Sequence, residues 1–153
     1  VYAVGDVNGG PQFTYISLDD FRIVFGVLTG NSQYTLKDRK NIPYTTFLTP
    51  PLSRVGLTEE DAINQGYTVK TKEMLVATMP RAHVNDYLKG AFKIVVDADN
   101  DLILGATLYS QGAEELINLI KMAMDNNIPY TYFKNQIFTH PTMAENLNDL
   151  CNF

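Results

Sequence analysis

The sequence predicts an α+β fold, an antiparallel β-sheet carrying flanking helices, and two stretches predict it most directly. Over residues 91–109, Phe92, Ile94 and Val96 alternate with Lys93 and Asp97, then Asp99-Asn100-Asp101 turns the chain. Leu102, Leu104, Ala106 and Leu108 return with the same period of two, which is the pattern of a hairpin with one face buried. Over residues 111–127, Ala113, Leu116, Ile117, Ile120, Ala123 and Met124 recur at three and four and form the apolar stripe of a helix. Glu114 and Glu115 suit its positive end, and Ile128-Pro129 stops it. Strands and helices are segregated along the chain rather than alternating as in a parallel sheet.

The remaining elements follow in order. Val1-Tyr2-Ala3-Val4, ending at Gly5-Asp6, reads as a buried strand caught at its end. No parallel partner is visible in the next stretch, and a lone short strand is unstable, so its partners are expected upstream of Val1. Ile16, Asp20, Ile23, Val24, Val27 and Leu28 fall at helical spacing up to Gly30-Asn31. Residues 32–41 are polar and read as a linker, placing a domain boundary at 41/42. Residues 44–48 and the stretch through Val55 read as extended, around Pro50-Pro51. Thr58 can cap a helix whose first turn is Glu59-Glu60-Asp61 and which ends at Gly66. Residues 69–78 read as a strand that breaks at Pro80. After the long helix come a short one over 130–135, His140-Pro141, and a last helix from Met143 to Leu150.

The 153 residues suffice for one full core. With 45% hydrophobic and 19% charged residues the chain has the composition of a globular domain rather than a disordered one. A net charge of −5 and the lack of any Lys/Arg cluster argue against nucleic acid as a partner. No run of about 18 apolar residues could span a membrane. The single cysteine, Cys151, excludes an internal disulfide and a cysteine-rich zinc site, and with no signal peptide visible in these residues the cytoplasm is the default expectation. His83 lacks a second ligand at metal spacing and reads as an exposed loop residue. Tyr109, Tyr130, Tyr132, Phe133 and Phe138 have no cluster of basic residues beside them and read as core or interface.

Two stretches could carry chemistry. In His140-Pro141-Thr142-Met143-Ala144-Glu145, a histidine just outside a helix start lies within reach of a carboxylate one turn inside. A carboxylate on one ring nitrogen selects the tautomer and makes the other nitrogen an acid/base. Thr142 and Glu145 equally spell a T-x-x-E capping box, in which the glutamate bonds backbone. Both readings stay open at this level. In the second stretch, Gly5-Asp6 ends a strand and sets a carboxylate where a sheet edge can bind the hydroxyls of a sugar-like chain, and the following helix would aim its N–H groups at a ligand. A plain strand-end turn has the same local pattern.

In this order the pieces resemble the pyridine nucleotide–disulfide oxidoreductases. Residues 1–7 resemble their second FAD-binding motif, and residues 42–60, from Ile42-Pro43-Tyr44 to Leu57-Thr58-Glu59-Glu60, resemble the entry to their dimerisation domain. Residues 90–96, Leu104-Gly105-Ala106 and Ala113-Glu114-Glu115-Leu116-Ile117 continue the likeness, and residues 140–145 look like the acid/base motif. The resemblance implies an FAD-domain remnant at 1–41 followed by a dimerisation domain at 42–153. It implies that Gly5 and Asp6 meet the ribityl chain of FAD, and that Phe13 and Thr14 approach the flavin. It implies that His140, supported by Glu145, serves the active site of the other subunit of a homodimer, next to a commonly cis His-Pro bond. The parent would use FAD and NAD(P)H to reduce a disulfide or other small oxidised sulfur species. Residues 11–20 look more like the RclA-type branch, linked to reactive chlorine species and hypothiocyanous acid. A glycine-rich pyrophosphate loop, a redox cysteine pair and a nicotinamide domain have no counterpart in this sequence, and Cys151 cannot be a vicinal cysteine pair. The chain by itself is therefore expected neither to hold FAD firmly nor to turn over. The competing expectation is a non-catalytic homodimerisation module with a capped helix at 142–145.

Overall fold

The computed structural model describes residues 1–153 and divides into two compact units, residues 1–40 and 41–153. In the first unit a single 3-10 turn, Gly5–Asn8, precedes helix α1, Thr14–Leu28. The strand expected at 1–4 is not formed. Val4 has extended dihedrals, but Val1, Tyr2 and Val4 are exposed, because no strand in this unit offers the hydrogen bonds that make a ladder. Helix α1 buries Ile16 and, unusually, Asp20. The carboxylate of Asp20 accepts from the Gly5 N–H at 2.8 Å and from Asn8 Nδ2 at 2.7 Å, and Arg39 Nη2 closes on its other oxygen. Arg39 Nε also meets Asp19 at 2.6 Å. The polar stretch read as a linker is thus tied back onto α1 by charge.

The second unit is built on a five-stranded antiparallel sheet in the order β1-β2-β5-β4-β3, with β1 Tyr44–Thr46, β2 Leu52–Gly56, β3 Val69–Leu75, β4 Ala91–Asp97 and β5 Ile103–Tyr109. The β4–β5 hairpin lies at its centre, as its alternation predicts. The return strand differs in one detail. Val95 pairs with Gly105 and Val96 with Ile103, so Leu104 is an extra residue, a bulge that shifts the phase. Ile103, Ala106 and Leu108 are buried, whereas Leu102 and Leu104 are only half-buried. The bulge turns the Leu104 carbonyl outward to accept the Leu57 N–H at 2.9 Å. The backbones approach so closely there that a Cβ on Gly105 would lie 2.1 Å from the Leu57 oxygen.

Helix α2, Glu59–Asn64, starts on a full capping box: Thr58 Oγ1 accepts from Asp61 N–H and Asp61 accepts from Thr58 N–H. Strand β3 ends at Leu75 rather than running to 78, because a 3-10 turn, Val76–Thr78, takes over. Pro80 does not break structure. It starts helix α3, Pro80–Val84, at the position where a missing N–H costs nothing. His83 is accordingly helical rather than in a loop, with Nε2 2.8 Å from the Ala77 carbonyl.

Helix α4, Ala113–Asp125, buries the six stripe residues the sequence marks and packs on β2 and β5. Helix α5 is Tyr130–Asn135. The last helix, α6, is shorter than expected: Asn146–Leu150, with a turn over 143–145 in place of its first residues. It packs on β3 and β4 and sinks Leu147, Leu150 and Cys151 into the same core as Phe92, Ile94, Leu108, Ile117 and Ile120. Tyr130 and Phe133 are in that core, Phe138 borders it, Tyr109 is half-buried and Tyr132 is exposed. No helix is long and apolar enough to cross a membrane.

Three outcomes follow from this packing. Leu108→Ala, at a fully buried site, should lower stability to urea by about 2–5 kcal/mol, while Gly105→Ala should abolish cooperative unfolding because rigid backbone opposes the new Cβ. Burial pushes the Cys151 thiol up to about 12, so an aromatic disulfide reagent at pH 8 should label it only after urea unfolds the chain.

Candidate active site

His140 and Glu145 are brought together by the turn between α5 and α6. The His140-Pro141 bond is cis. Phe138 packs against the core before it, and Leu147 is fully buried after it. Between these anchors the chain doubles back. His140 Nδ1 lies 2.8 Å from Glu145 Oε2, while Glu145 Oε1 accepts the Thr142 N–H at 3.0 Å. Thr142 Oγ1 accepts the Glu145 N–H at 3.2 Å and donates to the Thr139 carbonyl at 2.7 Å.

The two contacts that the motif allows therefore coexist. The reciprocal bonds of a capping box are present, and one carboxylate oxygen is left over for the histidine. Glu145 is not one turn inside the helix, as the local pattern suggests. It is the residue immediately before α6, on the turn, where one oxygen can face backbone and the other the ring.

The electrostatics follow from this geometry. The His140 hydrogen bond holds the Glu145 carboxyl below its usual range, helped by the Thr142 N–H and opposed by partial burial. An ionised Glu145 is an acceptor, so Nδ1 carries the ring proton and donates it. Nε2 is then the nitrogen free for chemistry. The side chain of His140 is 68% exposed and that of Glu145 18%, so the carboxylate is sheltered while the ring is presented outward. The arrangement can hold a proton at Nε2 and release it to a group leaving nearby.

The first unit holds the other residues singled out. Gly5 adopts φ +74°, a conformation that L side chains rarely take, and opens the 3-10 turn. Asp6 follows it with an exposed carboxylate. Phe13 precedes α1 as its N-cap and supplies no side-chain cap, and Thr14 is the first helical residue. The turn is held beside α1 by the bond from Gly5 to Asp20. The helical spacing of α1 includes Asp20 without marking it as the anchor of this loop. An acid recurring at helical spacing among apolar residues is itself the signal, since a buried carboxylate requires partners.

Comparison with known proteins agrees with this architecture. Residues 42–151 match the pyridine nucleotide-disulphide oxidoreductase dimerisation domain. The chain is 50% identical over 150 residues to the probable pyridine nucleotide-disulfide oxidoreductase RclA of Escherichia coli, covering 98% of this chain and 34% of that protein. It superposes on the solved structure of the HOCl-induced flavoprotein disulfide reductase RclA from Escherichia coli with a TM-score of 0.95, again over 98% of this chain and 34% of that one. A mercuric reductase of Staphylococcus aureus is 34% identical over 147 residues, 96% of this chain and 27% of its own length. The chain thus spans about a third or less of these relatives. With the match running through both the sheet and the His140 turn, the chain belongs to the pyridine nucleotide–disulfide oxidoreductase family and carries its dimerisation domain.

Proposed function

We propose that this chain pairs two subunits of an FAD-dependent NAD(P)H oxidoreductase and supplies His140 as the acid/base of the partner subunit's active site. The parent would reduce a disulfide or another small oxidised sulfur species, with hypothiocyanous acid a candidate suggested by the RclA likeness. The observation that carries the reading is the exposed His140 ring held through Nδ1 by a sheltered Glu145.

The chemistry assigned to this chain is a proton transfer. When a thiolate attacks the substrate disulfide, a new sulfur–sulfur bond forms as the old one breaks, the departing thiolate takes the proton from His140 Nε2, and the imidazole left behind keeps its Nδ1 proton on Glu145. In the reverse direction Nε2 removes a proton from a thiol. Glu145 stabilises the protonated ring and prevents it from rotating. Exposed apolar side chains at Phe47, Tyr132 and Ile137 support pairing with a second copy of the chain, Ile137 lying three residues before His140.

The residues of the first unit fit the ribityl and flavin end of FAD. Asp6 offers an exposed carboxylate to hydroxyl groups, and α1, fifteen residues long with no side-chain cap, offers N–H groups at Thr14 next to Phe13. When bound, the flavin would pass reducing equivalents from the nicotinamide to the substrate side of the enzyme.

In the longer protein carrying this chain, His140→Ala should lower turnover of a small disulfide or of hypothiocyanous acid by about 10²–10⁴-fold, with flavin reduction by NAD(P)H unchanged. Unaltered turnover would remove the catalytic assignment and leave a dimerisation module with a capped turn. The lowered Glu145 carboxyl adds a pH signature. A group depressed on folding stabilises above its unfolded pKa and loses that contribution as pH falls through the folded value. The stability advantage over Glu145→Gln, measured by urea unfolding, should therefore shrink as pH falls through and below the ordinary glutamate range.

A further inference from the structure

The geometry points to Asn148 as a positioning residue for His140, an inference that rests on the acid/base reading above. Asn148 lies on the half-buried side of α6, one turn after Glu145. Its Nδ2 donates to the Phe133 carbonyl at 2.7 Å and to the Gln136 carbonyl at 2.9 Å, with the Lys134 carbonyl at 3.4 Å. The Phe133 carbonyl also accepts the Gln136 N–H at 3.4 Å, so Asn148 meets the last turn of α5 and the residue that follows it. The cluster of acceptors also determines which way the amide faces, since only its nitrogen can donate.

The consequence is a closed clasp. The segment carrying His140 leaves α5 at Gln136, where Asn148 holds it, and returns at Thr142, where Glu145 holds it. Thr142 Oγ1 ties Thr139 in between, and Asn146 Nδ2, on the buried side of α6, donates to the Thr142 and Met143 carbonyls. Both ends of the loop are therefore referred to one short rigid piece, residues 145–148. The distance between the His140 backbone and the Glu145 carboxylate depends on the Asn148 side-chain bonds, although that side chain bonds neither residue and only the Asn148 backbone N–H meets the Glu145 carbonyl, at 3.0 Å. Without them the 133–140 stretch has exposed Lys134, Asn135, Ile137 and Thr139 and keeps Phe133 and Phe138 as its apolar anchors.

The test separates the clasp from the reaction. In this chain, isotope-labelled histidine should show His140 as a single tautomer protonated at Nδ1. Asn148→Asp, which keeps the shape and loses both N–H donors, should give a mixture of tautomers, while Asn148→Gln, which keeps the donors, should restore the single form. In the longer protein Asn148→Asp should lower substrate turnover by about 10- to 100-fold with flavin reduction unchanged. A folded Asn148→Asp that retains the Nδ1–H tautomer overturns the inference. A changed tautomer with unchanged turnover supports the clasp and overturns the acid/base role instead. Should Asn148→Asp fail to fold, the unaltered chain still decides: the Asn148 side-chain amide protons should exchange with solvent at least about tenfold more slowly than those of exposed Asn64, and equal rates overturn the inference.

Discussion

Helix α6 has five residues, too few to be stable as an isolated helix, and the candidate site hangs from it. What holds it is burial. Leu147, Leu150 and Cys151 are fully excluded from solvent among the side chains of the central hairpin and α4. Lys72 on β3 reinforces the far end by donating to the Asp149 and Asn152 carbonyls, both at 2.7 Å. A rigid support of this kind lets the preceding turn carry polar groups with defined positions. The carboxylate of Glu145, the amides of Asn146 and Asn148 and the ring of His140 are all placed relative to that apolar anchor.

The division of labour within Glu145 is the second consequence. A carboxylate has two oxygens and about four acceptor sites, so one group can cap the Thr142 backbone and orient an imidazole. Structure and chemistry need not compete for it. The capping bond fixes the carboxylate rotamer, and the fixed rotamer aims the other oxygen at Nδ1. A comparable economy operates in the first unit. Asp20 is buried, and Arg39, Asn8 and the Gly5 N–H compensate its charge. The hydrogen bond from Arg39 leads in holding its carboxyl below the usual range, with burial opposing. The loop bearing Asp6 is held by the hydrogen bonds of Gly5 and Asn8 to that carboxylate.

Much of the architecture was legible in the residues. The β4–β5 alternation and the α4 stripe are repeated signals, each supported by six or more positions, and both elements formed where those signals placed them. Signals resting on one residue did worse. Pro80 reads equally as a breaker or as a first helical residue, and the choice depends on whether Ala82 can be buried, as it is here. Val1 to Val4 have the composition of a strand, but a strand exists by pairing, and composition cannot supply a partner. Leu104 fits the alternating pattern, yet the approach of Leu57 to Gly105 made it a bulge.

The sequence by itself determined the antiparallel α+β class and the family resemblance, and it set a carboxylate within reach of His140, because local periodicity and short tethers carry that information. Tertiary structure decided the rest. It showed that the capping box and the histidine contact coexist, which depends on the direction of two lone pairs. It made Asp20 an anchor and set Asn148 against carbonyls twelve to fifteen residues away. Such bonds form between groups that the chain brings together only after its core has closed, so no local pattern announces them.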